Sequence, residues 1–177
     1  YEILRPEHYF SRDVPLTDAV LTTREAIWMI QSYGIEFESL PDGDFDLPLG
    51  VATGAADIFG TTGGVMEASL RTASELMTGK PAERLDFTEV RAVEGLREAS
   101  IEIGGRTLNV GVANGLVNAK ILLDKVVTGE KQFHILELMA CPGGCIGGGG
   151  QPYPPRGYHV LDPALLRARA RALYDID

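Results

Sequence analysis

Short apolar runs along the chain have the length expected of β-strands. They cover residues 19–21, 87–93, 99–103, 107–112 and 133–138. Polar or turn-forming residues bound most of these runs, as is usual at strand ends. Gly104–Gly105 separates the third run from the fourth, and a two-residue glycine turn is typical of a β-hairpin.

Apolar residues at helical spacing, together with cap residues, predict four helices. The first opens at the capping box Thr22–Glu25 and stops at Gly34. The second and third are expected at 62–77 and 116–127, with Asn114 as the cap of the third. Asp162 caps the fourth, which has Pro163 at its first position.

The order of these elements indicates the fold class. A strand at 107–112, a helix at 116–127 and a strand at 133–138 predict a right-handed βαβ crossover. We therefore expect an α/β fold: a mixed, partly parallel sheet with flanking helices. Ligands of such sheets collect beyond the carboxyl ends of the strands, where Cys141 and Cys145 fall.

Composition narrows the classes of function. The chain has 177 residues and is 45% hydrophobic, which is enough for one domain with a core. Its formal charge of −9 argues against a general nucleic-acid binder or a protein of anionic membranes. No apolar run approaches the ~20 residues of a membrane span, and no signal peptide is visible. The compartment stays open because the sequence begins and ends abruptly; the cytoplasm is the expected location and the periplasm the alternative. Because an initiator Met and a final stop signal are missing, we expect residues 1–177 to be a fragment truncated at both ends.

The only two cysteines, Cys141 and Cys145, follow the last strand. Pro142, Gly143 and Gly144 between them predict a loop that can present both sulfurs to one object. A cubane cluster or a structural zinc takes four protein ligands, so a metal site here would be half complete. The spacing alone leaves open a dithiol redox pair or two buried structural cysteines.

A second notable stretch is glycine-rich and leads into the second predicted helix. Gly50–Gly64 precedes that helix in the way that phosphate-binding loops do. It contains neither G-x-G-x-x-G nor the Lys-Ser/Thr pair of a P-loop. The alternative is close packing of a helix against a sheet.

Three stretches together resemble iron-only (FeFe) hydrogenases. The pattern E-x-M-A-C-P-x-G-C at 137–145, with G-G-G-Q-P at 148–152, is similar to the third signature motif of that family. Residues 58–68 resemble the glycine-rich segment of its catalytic domain. Tyr1-Glu2, with Arg5-Pro6 after it, resembles the end of the second motif, M-P-C-x-x-K-x-x-E.

The resemblance implies that residues 1–177 are the C-terminal portion of the catalytic domain and form one of its lobes. The implied enzyme is a ferredoxin-type hydrogenase of anaerobic hydrogen metabolism, which reversibly converts protons and electrons to dihydrogen. Its cofactor is the H-cluster: a 4Fe–4S cubane linked to a diiron unit with carbonyl, cyanide and dithiolate ligands. Implied partners are the missing N-terminal half of the polypeptide, which carries the other cluster cysteines, and ferredoxin or a redox partner subunit.

The resemblance also implies roles for five residues. Cys141 ligates the cubane, while Cys145 ligates it and bridges to the diiron unit. Met139 and Phe59 form an apolar wall beside the diiron unit. Glu2 orients a motif lysine that is not in this chain. Glu137 is separately expected to be a buried, hydrogen-bonded carboxylate of structural use, with a role in proton relay as the alternative.

Two other functions remain in competition. One is a hydrogenase-like iron–sulfur assembly protein that keeps the cluster cysteines but lacks the diiron unit. The other is an α/β module in which Cys141 and Cys145 act as a thiol switch. The glycine-rich segment at 59–67 and the run at 148–152 favour the hydrogenase over the assembly protein.

Overall fold

The computed structural model describes residues 3, 5–11, 14–44 and 54–177. They belong to two compact units, one formed by Tyr1–Phe45 with Gly149–Pro152 and the other by Asp46–Gly148 with Tyr153–Asp177. Among the described residues, no helix has both the length and the apolarity needed to cross a bilayer.

The first unit contains a small hairpin and one helix. Strands β1 (Tyr9–Ser11) and β2 (Val14–Pro15) pair antiparallel, and α1 spans Thr23–Ser32. The predicted capping box is confirmed: Thr22 Oγ1 accepts from Glu25 N at 3.2 Å, and Glu25 Oε2 accepts from Thr22 N at 2.7 Å. Both ends of this reciprocal pair satisfy amides that the helix itself cannot.

The strand predicted at 19–21 is wrong. These residues are irregular, exposed chain that leads into the cap of α1. Three apolar residues can favour an extended backbone, but a strand also needs a neighbour to complete its hydrogen-bond ladder.

The second unit contains a three-stranded mixed sheet, as expected. Its strands are β3 (Leu96–Ile103), β4 (Arg106–Asn114) and β5 (Ile135–Met139), in the order β3-β4-β5. The pair β3–β4 is antiparallel and is joined by the predicted turn at Gly104–Gly105; the pair β4–β5 is parallel. In the parallel register Val112 lies beside Glu137.

Three helices accompany this sheet. They are α2 (Gly64–Thr78), α3 (Leu116–Val127) and α4 (Pro163–Tyr174). Helix α3 is the crossover between β4 and β5, and its bounds are those predicted. Asp162 caps α4 through Oδ1, which accepts from Ala164 N at 2.8 Å.

Two further local predictions are wrong. Residues 87–93 form no strand; they contain a 3-10 turn at Thr88–Val90 whose neighbours Phe87 and Ala92 are buried. Their apolar character reflects core packing of a connection instead of strand pairing. Asn114 does not cap α3, because it is the last residue of β4 and its Nδ2 donates to Ala92 O at 2.8 Å.

The main core lies between α2 and the sheet. Its buried members are Met66, Leu70, Phe87, Val90, Ala92, Ile101, Ile103, Val110 and Val112. A smaller cluster joins Ile146, beside the cysteines, to Leu166 and Ala170 of α4. The cysteine-bearing loop is therefore packed against a helix as well as following a strand.

Candidate metal centre

Two consecutive turns carry the cysteines. In the loop from Ala140 to Gly148, here called the thiol loop, Gly144 N donates to Cys141 O and Gly148 N donates to Cys145 O, each at 3.0 Å. The second turn is the 3-10 helix Cys145–Gly147. Both cysteines are exposed and no disulfide joins them. The loop predicted from Pro142–Gly144 is confirmed, whereas the alternative of two buried structural cysteines is not.

The thiol loop lies directly on the glycine-rich turn, Gly60–Gly64. Thr62 N donates to Gly143 O at 3.0 Å. A Cβ on Gly144 would lie 2.7 Å from Gly60 O and 2.8 Å from Thr62 N, closer than real Cβ contacts come. Gly144 also has φ +94°, a conformation that residues with side chains rarely adopt. Glycine at this position therefore allows the two backbones to touch.

Met139 and Phe59 belong to the two segments that meet here. Met139, the last residue of β5, is half-buried, and the Thr62 hydroxyl lies 3.9 Å from its sulfur. Phe59 lies in the 3-10 helix Asp57–Gly60 just before the glycine-rich turn and is 45% exposed. Glu2 and residues 50–53 lie outside the described part of the chain.

Glu137 is buried and connects β5 to α2. Its two carboxylate oxygens accept from Gly63 N and Met66 N, each at 2.6 Å. Burial raises the pKa of Glu137, and the two backbone donors act in the opposite direction. The expectation of a buried, hydrogen-bonded carboxylate is confirmed.

The same contacts bear on the phosphate-loop hypothesis. A phosphate at the start of α2 would use free backbone N–H groups there. Two of these groups, on Gly63 and Met66, already donate to Glu137. The structure therefore favours the alternative reading, in which glycines allow close packing of helix and sheet.

Sequence reasoning missed a second buried carboxylate, Glu67, which is fully buried in the first turns of α2. It accepts from Arg91 Nε at 2.8 Å, Phe87 N at 3.1 Å and Arg71 Nη2 at 3.3 Å. The spacing of Glu67 and Arg71, four residues apart on a helix, is a signal that could have indicated part of this cluster. Arg91 gives no such signal.

Tyr174 connects this cluster to the glycine-rich turn. Its hydroxyl donates to Glu67 Oε2 at 3.2 Å and accepts from Thr61 Oγ1 at 3.4 Å. The Arg91 guanidinium lies 3.9 Å from the centre of the Tyr174 ring, a cation–π distance. Burial raises the pKa of Tyr174 to about 12, so its hydroxyl is protonated at neutral pH.

The donor chemistry of the thiol loop fits part of an iron–sulfur site. Two exposed thiols beside a glycine-lined loop are suitable ligands for iron, and they are half of the four that a cubane cluster takes. Within the described residues, no group of three or more His, Cys, Asp or Glu side chains is placed to hold a metal ion.

Comparison with known proteins identifies the family. Residues 1–149 match the model of the iron-only hydrogenase large subunit, C-terminal domain, and the chain belongs to this family. It is 50% identical, over its whole length, to a subunit of an NADP-reducing hydrogenase from Solidesulfovibrio fructosivorans. Over 96% of its length it is 47% identical to the large subunit of a periplasmic iron hydrogenase from Nitratidesulfovibrio vulgaris.

Solved structures agree with this assignment. An apo FeFe-hydrogenase variant from Chlamydomonas reinhardtii superposes with a TM-score of 0.70 at 38% identity, over 99% of this chain and 50% of that one. The chain spans only 29% and 40% of the two curated hydrogenases. It therefore matches a part of those larger proteins.

A more distant class is also related. A probable cytosolic Fe–S cluster assembly factor from Aedes aegypti is 31% identical over 95% of this chain and 36% of that protein. Since relatives include a periplasmic and a cytosolic protein, the cytoplasmic location expected from the sequence stays a prediction.

Proposed function

We propose that the polypeptide containing this chain is an iron-only hydrogenase that reversibly converts protons and electrons to dihydrogen. The observation that carries the proposal is the contact between the two family motifs. The thiol loop and the glycine-rich turn touch through Gly143 and Thr62, and Gly144 leaves no room for a side chain between them. Identity of 50% across the whole chain to a hydrogenase subunit supports it independently.

In this proposal the thiolates of Cys141 and Cys145 would hold the 4Fe–4S cubane, and the thiolate of Cys145 would also hold the diiron unit. The H-cluster, when bound, supplies the redox-active iron at which dihydrogen is formed or split. The protein contributes ligands, orientation and an environment of controlled polarity. The exposure of both cysteines fits a site that is completed by the remaining part of the polypeptide.

Met139 and Phe59 would form the apolar wall of the diiron site. A thioether and a phenyl ring carry no charge and are at most weak hydrogen-bond acceptors, so they suit a surface that admits an apolar gas. The half-buried position of Met139, close to Thr62, supports this role. Glu2 would orient the lysine of the second motif from its position at the start of the chain.

The remaining cluster ligands and the electron path would lie in parts of the polypeptide outside residues 1–177. We place the other two cluster cysteines in an N-terminal half of the same polypeptide. Coverage of 29% and 40% of the hydrogenase relatives supports the existence of that half. Electrons would pass to ferredoxin or a similar carrier through iron–sulfur clusters.

The assembly-protein hypothesis is less well supported. The hydrogenase relatives are 47% and 50% identical to this chain, whereas the assembly factor is 31% identical. The thiol-switch hypothesis accounts for the cysteines, but not for the close approach of Gly144 to Gly60 and Thr62.

The test is anaerobic reconstitution of the full-length polypeptide with iron, sulfide and a synthetic diiron precursor. We expect infrared bands from carbonyl and cyanide ligands, together with dye-linked hydrogen uptake. An assembly protein would show cluster absorption without these bands, and a thiol switch would show a reversible disulfide without iron. Either result would refute the proposal.

A single substitution tests the assignment of Cys145 as a ligand. Cys145→Ala should abolish retention of the diiron unit, because the bridging thiolate is lost. Ser100→Ala, which removes an exposed hydroxyl on β3, is the matched control and should retain both bands and activity. Hydrogen uptake by Cys145→Ala at the wild-type rate would contradict the assignment.

A further inference from the structure

The N-terminal end of α2 cannot be capped by its own residue. Its cap position is Gly63, with φ +95°, where a Cβ would lie 2.2 Å from Val90 O. The next residue, Gly64, is equally crowded, since a Cβ there would lie 1.7 Å from Ile58 O. Ser, Thr, Asp and Asn, the usual cap residues, are thus excluded by space at the cap position.

Glu137 supplies the missing cap from another element. Its carboxylate accepts from Gly63 N and Met66 N, two of the amides that a helix start leaves without an intrahelical partner. Negative charge at this end is also favoured by the helix dipole. The side chain reaches α2 from β5, where Glu137 is held in register beside Val112.

The location of Glu137 joins this cap to the candidate metal centre. Glu137 precedes Met139, the last residue of β5, by two residues and Cys141, in the thiol loop, by four. Gly63, which it binds, directly follows Thr62, the residue that contacts both Met139 and Gly143. One carboxylate therefore ties the strand that leads to the thiols to the turn against which they lie.

We propose that Glu137 is a positioning residue that fixes the thiol loop relative to the glycine-rich turn. Its action is indirect: it sets where Met139 and the cysteine sulfurs lie, and it does not touch substrate. This inference deepens the proposed function, and its link to the H-cluster rests on that function. The link between the two segments can be tested without any cluster.

The first experiment is hydrogen–deuterium exchange on the cluster-free, full-length polypeptide, comparing wild type with Glu137→Gln. Glutamine keeps one acceptor oxygen, but its NH₂ group would face the second backbone donor. One buried N–H then loses its partner, and exchange in the first turn of α2 should rise roughly tenfold. If Glu137 links the segments, exchange in the thiol loop should rise as well.

A helix cap without a positioning role predicts a different result. In that case faster exchange would be confined to residues 63–66, and the thiol loop would exchange as in wild type, which would overturn the inference. Glu130→Gln, an exposed carboxylate that follows α3, is the matched control and should leave both segments unchanged. If Glu137→Gln fails to fold, Glu137→Asp, which keeps the charge but is one methylene shorter, provides the same comparison.

The second experiment uses the reconstituted protein. Groups that hydrogen-bond directly to metal ligands typically strengthen metal binding by roughly ten- to a hundredfold. Glu137 acts one step further away, through Gly63 and Met66, so we expect its loss to weaken binding by about tenfold at most. Glu137→Gln should therefore lose iron faster and show shifted or broadened carbonyl bands, while Glu137→Asp should restore part of the wild-type spectrum. Bands identical to wild type would contradict the inference. Absence of bands in the wild type itself would refute the proposed function and leave the exchange result to decide the role of Glu137.

Discussion

At its N-terminal end helix α2 is capped by a carboxylate 71 residues further along the chain, whereas at its C-terminal end it is closed by the adjacent Gly79. Gly79 N donates to Glu75 O at 2.8 Å, and nothing lies within 4 Å of where its Cβ would be. Gly63, at the other end, has backbone atoms well inside that limit. Both ends use a glycine with positive φ, but only the N-terminal glycine is enclosed by distant parts of the fold.

This difference separates conformational from steric requirements. An exposed helix end needs only a residue that tolerates the left-handed conformation. The end beside the thiol loop also needs a residue without a side chain. In addition, it needs a carboxylate from another element to accept from its backbone N–H groups. Substitutions at the two ends should therefore differ in effect, and the differences can be measured as free energies of unfolding of the full-length polypeptide.

The largest contrast is expected between two glutamates of α2. Glu67→Gln removes the buried charge that faces Arg71 and Arg91, and breaking a buried pair in this way costs about 3–5 kcal/mol. Glu75→Gln, near the exposed end, should change stability by less than about 0.5 kcal/mol. Denaturant titrations of both variants measure the contrast, and equal effects would show that the Glu67 cluster is unimportant for stability.

The two glycines give the next contrast. Gly63→Ala combines an unfavourable left-handed conformation with a clash against Val90 O, for an expected loss of about 3 kcal/mol. Gly79→Ala retains the conformational term alone, about 1 kcal/mol. Thermal unfolding followed by circular dichroism distinguishes them. A larger loss at Gly79 than at Gly63 would contradict the steric argument.

A smaller difference in stability is expected between the N-terminal caps of α2 and α1. Helix α1 is capped by its own residue, Thr22. Thr22→Ala removes the hydroxyl that accepts from Glu25 N, and N-cap losses of this kind are typically about 1 kcal/mol. The hydrogen bonds of Glu137 are buried, whereas the bond between Thr22 and Glu25 is exposed. Glu137→Gln should therefore lower the free energy of unfolding more than Thr22→Ala does. Urea unfolding of the two variants tests the order, and a reversed order would show that the distant cap is the weaker one.

The smallest effect concerns the pH dependence of the two capping carboxylates. Hydrogen bonds from the Thr22 backbone and then its side chain lower the pKa of Glu25 below 4.5, so its contribution to stability is present above that pH and is lost as pH falls. Burial raises the pKa of Glu137 above 4.5, so its contribution is greatest in acid and declines as pH rises through the folded value. Carboxyl-carbon NMR titration should give midpoints on opposite sides of 4.5; two midpoints on the same side would contradict this.

Features specified by neighbouring residues could be predicted from the sequence. The capping box at Thr22–Glu25, the turn at Gly104–Gly105, the bounds of α3 and the cap at Asp162 all depend on contacts within a few residues. The parallel pairing of β4 with β5 followed from the helix between them.

Features that depend on contacts between distant residues could not be predicted from the sequence. Glu137 and Gly63 are 74 residues apart, and Glu67 and Arg91 are 24 apart, without a periodic pattern that joins them. The composition of residues 87–93 predicts a strand because burial in a connection gives the same apolar composition as strand pairing. The position and spacing of the two cysteines already make them candidates, and the family resemblance adds Met139, but the contact of their loop with Thr62 depends on distant packing.

We propose above that Cys141 and Cys145 hold an iron–sulfur cluster together with ligands from outside residues 1–177. The most direct test of this assignment is the iron and acid-labile sulfide content of the full-length polypeptide, purified anaerobically, beside that of a Cys141→Ser, Cys145→Ser double variant. We expect the wild type to contain at least about four more iron atoms per chain than the double variant, because one cubane cluster is lost with the two thiolates. Equal iron and sulfide contents in the two proteins, with Cys141 and Cys145 of the wild type joined as a disulfide, would contradict the assignment.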